Sequence, residues 1–167
     1  TVLFTGLPGS GKTTTAYGVE RQLFDMGRSA NVIDGQNFRM GLSRDLNFSK
    51  DDRSENVRRA AEVANLMNKA GLICLLSLVS PSDEIRKKAA GVVGEDRFIV
   101  VHLTAPAELC QQRNLSGRTL DKDDPQETKS NYQPPSDADL VLETDNMPPA
   151  ECVAKVIELL ASKGFVG

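Results

Sequence analysis

The chain has 167 residues, 40% of them hydrophobic and 26% charged, with a net charge of −3. That length buries the core of one domain without metal or disulfide staples, and the composition is that of a soluble globular protein. The slight acidity excludes a broad basic nucleic-acid footprint, and no long apolar run or charged-then-apolar leader marks a membrane span or signal peptide.

Strand-like and helix-like segments alternate from the start. Residues 1–5 are a short apolar strand, and 12–26 read as a helix stopped by Gly27. Residues 29–34 form a second strand that ends on an acid. Ser49 is a predicted N-cap, with Asp51 and Asp52 in the first turn of a long helix running to Gly71. Residues 72–79 are uninterrupted apolar, as a strand covered on both faces should be. A helix over 82–93, a strand over 98–104 and a helix from Pro106 to about Arg113 follow. A last strand over 138–144 and a helix over 149–163 close the chain.

This order predicts an α/β fold: a five-stranded parallel sheet with right-handed crossovers and helices on its faces. No repeat or second-domain boundary appears. The chain begins within its first strand, which suggests a domain taken from a longer polypeptide. Residues 114–137 are polar and aperiodic, and a loop of that length is expected to be a functional lid or disordered. Cys74, Cys110 and Cys152 are widely spaced and odd in number, so they are expected to be reduced thiols in a cytoplasmic protein. His102, in an apolar run with no triad partner nearby, reads as structural.

The chemistry begins at Gly6-Leu7-Pro8-Gly9-Ser10-Gly11-Lys12-Thr13, a full match to G-x-x-x-x-G-K-[ST] between a strand and a helix. The glycines let backbone N–H groups curl around a phosphate at the positive end of the helix. Lys12 is expected to reach the β/γ oxygens of ATP and the Thr13 hydroxyl to ligate Mg2+. Thr14 completes the expected nucleotide-binding set. The apolar run that follows ends without the acid that switches and motors carry, and no N-K-x-D guanine signature is present. Instead Asp34 ends the second strand, before Gly35-Gln36-Asn37. In a P-loop sheet a carboxylate there lies beside the γ-phosphate and can accept a hydroxyl proton or hold the metal's water. Asp-Gly is also ordinary turn chemistry.

Arg39, Arg44, Arg53, Arg58 and Arg59 crowd the next stretch, and some of them are expected to converge on an anion. Arg53 and Asn56 share a helical face. Phe48 lies in sequence between Arg39 and Arg53, and an aromatic beside arginines suits a flat base carrying an anionic group. A solvated charged helix, with Phe48 as a hydrophobic staple, fits the same residues equally well.

The segments GLPGSGKTT, DGQNFRMGLSRDLNFSKDDRSENVRRAAEVANLMNKAGLI, SLVSP, TAPAELCQQR and YQPPSDADLVLET closely resemble the adenylylsulfate kinase family of P-loop kinases. The resemblance spans essentially the whole chain. It implies transfer of the ATP γ-phosphate to the 3′-hydroxyl of adenylyl sulfate, with Lys12 and Asp34 as catalytic residues and Asp34 as the base. It further implies that Asn37, Arg39, Arg53 and Asn56 bind the acceptor. Phe48 would stack on the acceptor adenine, Val79 and Ser80 would line that pocket, and Arg113 would lie near the adenine of ATP. Homodimers and fusion to a sulfurylase are expected from the same resemblance, with no nucleic-acid or membrane partner.

Two departures stand out. Gln36 replaces a family acid, removing a charge that would help organise Mg2+ or its waters. Residues 114–137 differ from the family lid, and Lys122 and Lys129 are the only lysines there to replace the one the family contributes. A P-loop kinase for another nucleotide or small alcohol, or a non-catalytic regulatory domain of a fused sulfurylase, are the competing readings.

Overall fold

A computed structural model describes residues 1–117 and 131–167. Strands β1 (Val2–Thr5), β2 (Ala30–Asp34), β3 (Ile73–Ser77), β4 (Ile99–Thr104) and β5 (Leu140–Glu143) form one sheet, in the order β2-β3-β1-β4-β5. Every pairing is parallel, as the alternation of elements predicts. The helices are α1 (Lys12–Asp25), α2 (Gly35–Met40), α3 (Lys50–Lys69), α4 (Asp83–Val93), α5 (Ala107–Gly117) and α6 (Pro149–Ser162).

The pleat of β1 sorts the core into two layers. Val2 and Phe4 point to one face, where Ala16, Val19 and Leu23 of α1 and Val156 and Leu160 of α6 cover them. Leu3 points to the other, under Val57, Ala60, Ala61 and Ala64 of α3 and Ile85, Ala89 and Val93 of α4. Side chains alternate across a strand while helices repeat every three to four residues, so each of these helices contributes one buried, mostly apolar stripe. The exposed N–H of edge strand β2 at Val32 is capped by Glu20 Oε1 at 2.9 Å, which blunts the edge.

Ser49 caps α3 by accepting from the Asp52 N–H at 3.1 Å, and Ser82 caps α4 by accepting from the Ile85 N–H at 3.4 Å. Both helices carry acids in their first turns. The α1 N-terminus differs: its cap is Gly11, with no side-chain cap and no acid in the first turn. Its N–H groups are therefore left for another anion.

Three expectations about elements are corrected. The apolar strand expected over 72–79 ends at Ser77, because Ser80 takes a positive φ of 48° and turns the chain out of the sheet. Residues 35–40, given no element beyond the turn chemistry of Asp34-Gly35, form helix α2, capped by the Asp34 side chain. The irregular stretch expected over 114–137 is ordered at both ends. Helix α5 extends to Gly117, and Gln133 and Ser136 hydrogen-bond to Pro81 and Asp83. Lys122, Lys129 and the rest of the expected lid, 118–130, lie outside the described residues.

Leu76 is fully buried in β3, under the α3 and α4 layer. Leu76→Ala should lower the unfolding free energy by about 2–5 kcal/mol, read as a lower denaturant midpoint at unchanged slope.

Candidate active site

The site is built at the carboxyl ends of β1, β2 and β3, beside the point where the chain turns to opposite sides of β1. After Thr5 the backbone makes the phosphate loop under severe space limits. A Cβ at Gly6 would collide with the Leu103 carbonyl, and one at Gly9, whose φ is 83°, with the Cys110 carbonyl at the start of α5. Glycine is required at both positions by close approach, and at Gly9 by conformation as well. The Lys12 ammonium bends over the loop and donates to the Gly6 and Leu7 carbonyls at 3.0 and 2.8 Å. The Ser10 Oγ is buried with no hydrogen-bond partner among the described residues.

Asp34 does two jobs with its two oxygens. Oδ1 accepts from the Gln36 N–H at 3.1 Å and caps α2, which is the turn chemistry. Oδ2 accepts from the Thr13 hydroxyl at 2.7 Å, which puts a buried carboxylate against the P-loop threonine. Asp34 therefore makes the turn contact and faces the P-loop threonine at the same time. The Ser77 hydroxyl lies 3.0 Å from Thr13 Oγ1, since Ser77 is the β3 residue in register with Asp34. Three oxygens thus meet where a hard cation beside phosphates would be held, a donor set that suits Mg2+. Among the described residues no group of three His, Cys, Asp or Glu could form a closed protein cage. That fits a cation held mainly by phosphate oxygens and water. Gln36 contributes its backbone N–H to the Asp34 cap rather than a second charge.

The five arginines divide sharply. Arg39 lies 4.3 Å and Arg53 5.8 Å from the Phe48 ring centroid. Arg39 donates to the Asn47 carbonyl at 2.9 Å and Arg53 to the Phe48 carbonyl at 2.9 Å. Arg58 and Arg59 instead pair with Glu55, Glu62 and Asp45 on the surface of α3, and Arg44 is exposed. Hydrogen bonds from these arginines hold the Asp45 and Glu55 carboxyls down near about 2. Convergence on one place is thus confined to Arg39 and Arg53.

The staple reading is replaced. Phe48 does occupy the position before the Ser49 cap, but the residue facing it from the first turn is Arg53, so the pair is cation–π and not apolar. Asn56 is buried one turn beyond Arg53, and its Oδ1 lacks a partner among the described residues. Asn37 is exposed on α2. Val79 is half-buried and its carbonyl accepts from the Thr5 hydroxyl at 2.5 Å, while the buried Ser80 Oγ is also without a described partner. Thr14 is exposed on the first turn of α1. Arg113 donates to Thr144 Oγ1 and O at 3.0 and 2.9 Å, and Thr144 donates to the Ser10 carbonyl at 2.9 Å. Arg113 is therefore joined to the P-loop through the end of β5.

Sequence reasoning passed over Thr5, Ser77, Arg86 and Tyr132. Arg86 left a signal, since it adjoins the buried stripe of Ile85, Ala89 and Val93 on α4. Tyr132 stacks against His102, with ring centroids 6.1 Å apart and planes at 29°. The three cysteines are buried and unpaired, and burial raises the Cys74 thiol to about 11.

A sequence model of the adenylylsulphate kinase family matches residues 1–143. The chain belongs to that family. It is 42% identical to the adenylyl-sulfate kinase of Halothermothrix orenii over 99% of this chain and 91% of that one. It is 48% identical to the bifunctional enzyme CysN/CysC of Rhodopirellula baltica over 99% of its own length, but spans only 26% of that protein. The fold superposes on the Mycobacterium tuberculosis APS kinase CysC, solved in complex with AMPPNP and APS, with a TM-score of 0.83 at 37% identity. That match covers 96% of each chain. No helix of the described residues is long and apolar enough to cross a membrane.

Burial first, and the Arg86 charge second, hold the His102 imidazole below its ordinary value. A histidine with a lowered folded pKa binds fewer protons folded than unfolded. Stability is therefore full above the unfolded value of about 6.5 and is lost as pH falls towards the folded one. Denaturant titrations between pH 7 and 5 should show this decline, and His102→Gln should flatten it. The lowered carboxyls act mainly below that window.

Proposed function

We propose that the protein transfers the γ-phosphate of ATP to the 3′-hydroxyl of adenylyl sulfate, giving 3′-phosphoadenylyl sulfate and ADP. The observation that carries this reading is a buried Asp34 carboxylate 2.7 Å from the P-loop Thr13 hydroxyl, with Phe48 within cation–π distance of both Arg39 and Arg53. A P-loop with a base and no guanine-reading motif is the equipment of a small-molecule kinase. An aromatic ring beside two guanidiniums offers a stacking face and charge to a nucleotide that carries an anionic tail.

In this reading Asp34 accepts the 3′-hydroxyl proton as the oxygen attacks the γ-phosphorus, and the bond from that phosphorus to the β-bridging oxygen of ATP breaks. Lys12 releases the loop carbonyls and neutralises charge on the transferring group. The backbone N–H groups of Gly9 to Thr14 cradle the β-phosphate at the unacidified start of α1. Mg2+ held by Thr13, with Asp34 and Ser77 in reach of its water, would offset the charge of the β- and γ-phosphates. Arg39, Arg53, Asn37 and Asn56 take the sugar and phosphosulfate of the acceptor, Phe48 stacks on its base, and Val79 and Ser80 form the opposing wall. Arg113 supports the ATP side through Thr144.

A homodimer is the proposed assembly. Leu42 is exposed beside Arg59, and Leu66 is exposed seven residues further along the same face of α3, which supplies apolar contact area. A cytoplasmic location and a covalent or non-covalent link to a sulfurylase complete the reading. The length of the bifunctional relative supports the second of these.

Purified protein supplied with ATP, Mg2+ and adenylyl sulfate should release ADP in a coupled assay and form the 3′-phosphorylated product. Absence of product would overturn the assignment. Lys12→Ala should lower turnover at least about a hundredfold with an unchanged circular dichroism spectrum, because the ammonium lies over the loop carbonyls and outside the apolar core.

Acceptor recognition is tested separately by calorimetry. Phe48→Ala and Arg53→Ala should each weaken adenylyl sulfate binding roughly ten- to a hundredfold while sparing ATP. Wild-type affinity in both variants would remove these residues from the acceptor site.

A further inference from the structure

Arg86 is a charged side chain with only 4% of its surface exposed, and no step of the proposed reaction uses it. Its guanidinium joins three pieces of chain. Nη1 donates to the Ser80 carbonyl at 2.6 Å, and Nη2 donates to the Gln133 carbonyl at 2.7 Å and to Asp83 Oδ1 at 2.8 Å. Gln133 is bound back on the same wall: its N–H donates to the Pro81 carbonyl at 2.7 Å, and its side-chain oxygen accepts from the Asp83 N–H at 3.2 Å. Next to it, the guanidinium lies 6.0 Å from the Tyr132 ring centroid, and the Tyr132 hydroxyl is 3.1 Å from Thr5 Oγ1. Thr5 is the last residue of β1 before the P-loop.

Ser80 needs such support. Among the described residues it alone, glycines aside, has a positive φ, at 48°. A left-handed backbone is unfavourable for a residue with a Cβ and persists only where its surroundings over-determine it. The strongest restraint on it is the charge-assisted bond from Arg86 to its carbonyl. The turn at Ser80 also carries a buried Oγ with no described partner, so its conformation sets where that hydroxyl points.

We propose that Arg86 is a positioning residue for the acceptor. Its planar fork holds the left-handed turn at Ser80 and the returning chain at Gln133 as one rigid wall against the end of β1. The wall presents Val79 and Ser80 to adenylyl sulfate while leaving the ATP side untouched. This rests on the assignment of Val79 and Ser80 to the acceptor pocket. Lysine has the charge but one nitrogen in place of the planar fork, so it does not reproduce the separate Nη1 and Nη2 bonds to the Ser80 and Gln133 carbonyls.

The test is a double-mutant cycle read by steady-state kinetics. Arg86→Lys should raise KM for adenylyl sulfate about tenfold and KM for ATP less than about twofold. In the Ser80→Gly background, where the left-handed turn no longer needs restraint, the same change should raise the acceptor KM less than about threefold. Equal rises in both KM values, or additive effects of the two substitutions, would overturn the proposal. If the lysine variant does not fold, Asp83→Asn, which loosens the guanidinium from its carboxylate, carries the same cycle. It should give a smaller, acceptor-selective rise that Ser80→Gly suppresses, and an unchanged acceptor KM overturns the proposal. Failure of the underlying reading looks different, because wild-type protein would then form no product from adenylyl sulfate at all.

Discussion

The loop between β1 and α1 runs so close to two neighbouring carbonyls, those of Leu103 and Cys110, that no side chain fits at Gly6 or Gly9. Much of the molecule is arranged around that close approach. The end of β4 and the first turn of α5 pack against the loop. The end of β5 holds the Ser10 carbonyl through Thr144, and Arg113 braces Thr144 in turn. What emerges is a ring of backbone N–H groups at a helix start that carries no capping side chain and no acid. An anion-binding site of this kind works because its donors are fixed before the anion arrives, and packing on all sides does the fixing.

A parallel sheet brings the carboxyl ends of all its strands to one edge, and the chemistry follows from which residues end which strand. Thr5, Asp34 and Ser77 end β1, β2 and β3. Thr13 opens the helix after β1 and reaches both Asp34 and Ser77. The economy of Asp34 is notable in physical terms: one oxygen orients the carboxylate by capping α2, and the other faces the P-loop. The proposed role of Asp34 as base rests on a carboxylate whose rotation is fixed in this way.

Charge is sorted by burial. Arg58 and Arg59 face solvent and are consumed by Glu55, Glu62 and Asp45, pairs of the kind that contribute little to stability. Arg53 and Arg86 are buried, and each donates to backbone carbonyls. Buried guanidiniums require several partners to offset lost hydration, so each one ties loops together. Arg53 ties the entry of α3 to Phe48, and Arg86 ties the exit of β3 to the returning chain. These two clamps hold Phe48 and Ser80, both of which are proposed to line the acceptor pocket.

The sequence by itself determined the sheet, its parallel sense, the glycine-rich loop between β1 and α1 and the place of Asp34 at the end of β2. These are written in local patterns: alternating apolar runs, a glycine-rich motif at fixed spacing, and an acid at a strand end. Tertiary structure alone decided which of the five arginines face Phe48, because spacing along the chain does not say which carboxylates a helix surface will present. It also decided that Phe48 meets a guanidinium and not the core, that β3 stops at Ser77, and that Tyr132 returns to Thr5 and His102. Each of those outcomes depends on residues far apart in sequence. Ser80 turns out of the sheet where Arg86 and Gln133 hold its neighbours, and no local propensity of serine encodes a left-handed turn.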